Sequence, residues 1–132
     1  MTKWLLILGL FAAMLAGCAE QRIAMRAAEV GGRSAGDDLA AGRLALRRYG
    51  FGLGSDQPIY AKMLQDQLDV QLVPVAGCVV TVEIVASADA YNEVMTREIE
   101  RRHGPGVLDR LQAEATAAAQ SARPLEMPSP AE

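Results

Sequence analysis

Cysteine, histidine and aromatic residues are scarce in this chain. Its 132 residues hold two cysteines, one histidine and 5% aromatics. The only histidine, His103, and the second cysteine, Cys78, fall short of a structural zinc site, which takes four nitrogen or sulfur ligands. Thiol catalysis needs a base within hydrogen-bond reach of the sulfur. The helix expected between Cys78 and His103 sets them apart. A surplus of positive charge is also missing, since the formal net charge is −3. Phosphate-backbone binding needs a basic footprint, so nucleic acid is not an expected partner. No metal or other cofactor is implied, and no internal repeat is visible. No apolar run reaches the length of about 20 residues that spans a bilayer comfortably.

What the chain does have stands at its start. MTKWLLILGLFAAMLAGC places one charge, Lys3, before an apolar run from Trp4 to Ala16. Small residues follow, and the run closes on Leu15, Ala16, Gly17 and Cys18. A charged start, a short apolar middle and small residues before a cut site make a secretory signal. With a cysteine directly after Leu-Ala-Gly, the segment resembles the signal peptide and lipobox of bacterial lipoprotein precursors. The resemblance implies cleavage between Gly17 and Cys18 and a diacylglyceryl group on the Cys18 sulfur. It also implies an acyl chain, such as palmitate, on the new amine. Ala19 rather than aspartate follows the cysteine. The resemblance therefore implies the periplasmic face of the outer membrane in a Gram-negative cell. Two or three acyl chains make a stable anchor where one is marginal.

Removing residues 1–17 of 132 leaves 115, the size of one domain. Only Lys3 of the 13 basic residues is lost, so 12 face 16 acidic ones, a net of −4. With Cys18 acylated, Cys78 has no intramolecular partner. It sits in VPVAGCVV and is expected to be a buried, inert thiol.

Residues 18–42 are expected to be a lipidated, flexible tether. Ile23, Ala27 and Val30 share a helical face, but Gly31 and Gly32 interrupt it, and Ser34 to Asp38 read as loop. A small domain is expected over 43–120. Leu44, Leu46 and Arg48 alternate with Ala45, Arg47 and Tyr49, which predicts a strand over 43–49. Ser55 or Asp56 should cap a helix over 57–69, with Pro58 in its first turn. A second strand is expected over 70–77. Pro74 marks it as short or at an edge, because proline cannot donate to a ladder.

Residues 78–103 contain no proline or glycine. Val80, Ile84, Ala88, Tyr91, Met95 and Ile99 form one helical stripe, which predicts a helix from about Thr81 to Arg102. A strand over 78–85 followed by a helix from Asp89 is the alternative. After Gly104-Pro105-Gly106, a last helix over 106–120 is expected to fold back on its predecessor as a hairpin. Residues 121–132 hold three prolines and read as a disordered tail. The fold class is thus α+β: a two-layer domain with a short β-α-β unit and two to three further helices, behind an N-terminal signal helix.

No set of residues spells a named activity. GFGLGS lacks the third glycine of a dinucleotide fingerprint and the Lys-Ser/Thr of a P-loop, and it reads as a packing turn. Tyr91, Asn92 and Glu93 form the most distinctive polar cluster. An amphipathic helix places such a tyrosine inward, with the Asn and Glu toward solvent. The functional alternative is a pocket formed with Cys78 in a small exported enzyme. The sequence favours a non-catalytic envelope module held by its lipid anchor, with an envelope protein or a second copy as possible partner.

Overall fold

The computed structural model describes residues 2–50 and 54–122, with side chains from Ala19 onward. The signal, cleavage and acylation expectations at Gly17 and Cys18 concern side chains outside that set. So do residues 51–53 of the glycine loop and 123–132 of the tail. Among the described residues the order is α1 (Thr2–Ala40), β1 (Leu44–Arg48), α2 (Gln57–Leu68), β2 (Val70–Pro74), α3 (Val82–His103) and α4 (Val107–Ser121). The protein is α+β. Four helices surround a two-stranded parallel sheet whose strands are joined through α2.

The sheet forms where expected, but its second strand stops at Pro74 instead of running to residue 77. Leu44 pairs with Val70 and Leu46 with Leu72. These four share one face, which meets Leu64 and Leu68 of α2 and Tyr91, Met95 and Ile99 of α3 in the core. Ala45, Arg47, Gln71 and Val73 form the other face and line an open cavity. Val75 N–H donates to Arg48 C=O at 2.8 Å, which extends the pairing one residue past the ladder. Pro74 stands between two residues bonded toward β1, so its missing donor falls on the free edge of β2.

One long helix, not a strand and a helix, occupies the region after Thr81. The Thr81 hydroxyl accepts from Ile84 N–H at 3.4 Å, and Arg101, Arg102 and His103 fill the last turn. Positive charge there suits the dipole of the helix C-terminus. The apolar stripe is buried from Ala88 through Tyr91 and Met95 to Ile99. Its front end is not covered: Ile84 is half-buried, and Val80 lies before the helix and is exposed.

Three expectations require correction. Residues 19–40 are not a flexible tether but the second half of α1, packed against α3. Ala35 is fully buried and Leu39 packs on the core. The glycines that looked like a break serve the packing. A Cβ built on Gly31 would lie 2.0 Å from the Ser87 carbonyl oxygen. Glycine is therefore required for the helices to approach this closely. The helix ends at Ala40 and the chain turns at Gly42, whose φ of +75° suits glycine, with Arg43 N–H bonded back to Asp38 C=O at 2.8 Å.

The second correction concerns α4, which packs chiefly against α2 and touches α3 little, so the two do not form a hairpin. Asp56 explains this in part. It occupies the N-cap position of α2 but makes no capping bond. Its carboxylate instead accepts from Gln112 Nε2 of α4 at 2.8 Å. The third correction is Cys78, which is exposed rather than buried. Its apolar neighbours Val79 and Val80 are exposed too, so the segment has nothing to be buried against.

The two helix glycines separate packing from propensity. Gly31→Ala should destabilise the protein by about 1–3 kcal/mol, because the added methyl forces α1 off α3. Gly32→Ala meets nothing within 4 Å. It should stabilise by about 1 kcal/mol through helix propensity alone. Urea denaturation of the two variants beside the parent checks both signs.

Candidate functional site

Of the residues that the sequence singles out, Tyr91 and Asn92 meet at Arg47, in the middle of β1, while Glu93 and Cys78 do not. Leu44 and Leu46 point into the core, so the alternation of the strand turns Arg47 to the opposite face. Its guanidinium lies 3.8 Å from the centroid of the Tyr91 ring and donates to Ser34 Oγ of α1 at 2.7 Å. Its backbone is held as well. Asn92 Oδ1 accepts from Arg47 N–H, and Asn92 Nδ2 donates to Arg47 C=O, both at 2.7 Å. Asn92 thus occupies the edge of β1 that no strand pairs. It is half-buried, not turned to solvent as expected. Asp89, one turn earlier, accepts from the Tyr49 hydroxyl at 2.9 Å and fastens the end of the same strand.

Tyr91 is buried as expected, at 1% exposure. Its hydroxyl donates to Asp38 Oδ2 at 2.6 Å, and Arg43 also donates to Asp38. Burial, then the bond to Asp38, pushes the Tyr91 phenol up to about 12. The Tyr91 hydroxyl, then Arg43, holds the Asp38 carboxyl below its ordinary range. Glu93 is exposed and pairs with Arg97 one turn on, at 2.7 Å. Such a pair contributes only about 0.3 kcal/mol.

Two cavities flank Arg47. One is polar, about 270 Å³, bordered by Asp38, Arg43, Gln71, Val73 and Tyr91. The other is an open apolar groove of about 490 Å³ between α1 and the start of α3. Ile23, Ala27 and Val30 form one wall, and Ile84, Ser87 and Val75 the other. The stripe read at Ile23, Ala27 and Val30 is therefore real, and it faces this groove. Cys78 borders neither cavity, so it is not brought together with Tyr91, Asn92 and Glu93. His103 stands at the other end of α3, about 33 Å from its start at 1.5 Å per residue.

The arrangement is chemically quiet. Around Tyr91 each charge is matched by a partner that holds the fold. Asp38 is bonded by Tyr91 and Arg43, and Arg47 is occupied by Ser34 and the aromatic face. At the start of α2, the Asp56 carboxylate stands where an anion would approach the helix end, which opposes a phosphate reading of the glycine loop. Sequence reasoning missed Asp38 and Arg47. The signal for Arg47 was the strand alternation that separates it from the two leucines. Nothing in the sequence joins Asp38 to a tyrosine so far along the chain. Set against protein-family models, curated proteins and solved structures, the chain matches none.

Two measurements probe this cluster. Asn92→Ala leaves a half-buried N–H and C=O of β1 unpaired and should cost about 1–3 kcal/mol in denaturant titrations. Alkaline stability reports on Tyr91. A phenol raised in the folded state contributes fully below pH 10 and loses that contribution as pH rises through about 12. Stability should therefore fall between those values, and Tyr91→Phe should make the fall shallower.

Proposed function

We propose that this protein is a membrane-anchored bacterial lipoprotein. Its mature chain begins at Cys18 and acts as a non-catalytic binding or assembly module of the cell envelope. In a Gram-negative cell it would sit on the periplasmic face of the outer membrane. The observation that carries the reading is Cys18 directly after Leu15-Ala16-Gly17, behind one charge and a short apolar run.

Among the residues whose side chains are described, no helix is long and apolar enough to cross a membrane. One structural feature supports the reading. The polar residues around Tyr91 are spent on joining α1, β1 and α3, which favours a binding module over an enzyme. The partner expected for such a module is another envelope protein or a second copy of the chain.

The test is processing at Cys18. The membrane-extracted protein should lack residues 1–17 and carry acyl mass by intact-mass spectrometry. Cys18→Ser should abolish the acyl mass and move the protein out of the membrane fraction or leave it unprocessed. An unmodified N-terminus on the parent protein would overturn the reading.

A further inference from the structure

The groove between α1 and α3 is an apolar surface left open at one end of the molecule. The contacts along the two helices advance together. Ile23 shares the groove with Ile84, Gly31 lies against Ser87, and Asp38 bonds Tyr91. The helices therefore run in the same direction. The start of α3, with the segment before it, lies at the same end as Cys18. That segment is apolar and exposed: Val79 is 72% exposed, Val82 41% and Val80 39%. Ile23 and Val30 of α1 are exposed too, and they line the groove with Glu83 and Ile84, which follow that segment directly in the chain. Contiguous apolar surface of this kind marks an interaction site.

The distance to the anchor says what covers it. Ile23 follows Cys18 by five residues of uninterrupted helix, about 7.5 Å at 1.5 Å per residue. No glycine or proline between them supplies a hinge. The acyl chains that would enter the bilayer at Cys18 thus hold the near end of the groove within one or two helical turns of the lipid.

Resting on the anchor reading above, we propose that the lipid surface itself fills this face. The protein leans so that Ile23, Val30, Val79, Val80 and Val82 enter the boundary between headgroups and acyl chains. An apolar face of this kind buries some 5–10 Å into that boundary. Arg22 and Arg26, both exposed on α1, lie at the level of the lipid phosphates, where each basic residue adds attraction to an anionic surface. Glu83, the acidic residue of the groove wall, is long enough to keep its charge among the headgroups.

Cys78 is the natural probe, since it adjoins the valines and is exposed. Full-length processed protein, with Cys18 blocked by its acyl group, is labelled at Cys78 with the fluorophore NBD. It is then reconstituted in phosphatidylethanolamine–phosphatidylglycerol vesicles with and without shallow doxyl lipids. The protein should float with the vesicles, its emission should shift to the blue, and doxyl lipid should quench it. A label on Arg110→Cys of α4, in a Cys78→Ser background, should stay unquenched. Val79→Asp with Val80→Asp, at exposed positions, should still float but lose the quenching at Cys78.

Flotation with Cys78 as unquenched as the α4 site would overturn the proposal and leave the anchor intact. Unquenched Cys78 whose emission instead changes with protein density would give the face to a second copy, and would overturn it equally. Failure to float would remove the anchor and the proposal together.

Discussion

The fold depends on the close approach of α1 to α3 at Gly31. The two backbones meet where a single methyl group would collide with the Ser87 carbonyl oxygen. Small residues on α1, at Ala24, Ala27, Ala28, Gly31 and Ala35, present a smooth strip over this length. Such a strip gives little hydrophobic burial per residue, so its stability comes from many short-range contacts at native packing density. The approach also sets where α1 ends relative to β1. Only with α1 seated can Asp38 reach Tyr91 and Ser34 reach Arg47.

A two-stranded sheet is marginal without further support. Here α3 provides that support in two ways. Tyr91, Met95 and Ile99 cover the leucine face of the strands, while Asn92 offers one donor and one acceptor to the open edge of β1. The amide side chain does there what one residue of a third strand would do. The opposite edge, on β2, is blunted by Pro74, which has no donor to offer a pairing chain. One edge is thus engaged by a helix side chain, and the other ends in a ring that offers no donor.

Much of this was legible in the sequence, and the exceptions share a cause. The bounds of β1, α2, α3 and α4 follow from local signals: alternation around Leu44 and Leu46, Pro58 in a first turn, the stripe to Ile99, and Gly104-Pro105-Gly106. The second half of α1 was not legible. Gly31 and Gly32 lower helix propensity, and only the presence of α3 compensates for it. Cys78 misled for the opposite reason. Its neighbours are apolar, but apolarity does not ensure that anything lies opposite to bury them. The roles of Asn92 and Asp38 depend on which helix crosses which strand, and no spacing along the chain encodes that. The signal, the acylation at Cys18 and the tail over 123–132 rest on sequence alone.

The absence of a tether bears on the anchor proposed at Cys18. A flexible linker would let a domain rise and turn freely above the membrane. Here the helix that leaves Cys18 is the helix that builds the core, so Ala35 and Leu39 are tied rigidly to the Cys18 end. Asp38 lies twenty residues beyond Cys18, about 30 Å along the same helix. The molecule is therefore polarised along α1. Its apolar groove lies toward the Cys18 end, while the polar cavity of Asp38, Arg43 and Gln71 opens far from it. With no hinge between the two, the proposed anchor at Cys18 would hold the polar end at a fixed height and orientation above the lipid. A partner of the proposed binding module would find its surface there, on the face of the sheet that Ala45, Arg47, Gln71 and Val73 leave open.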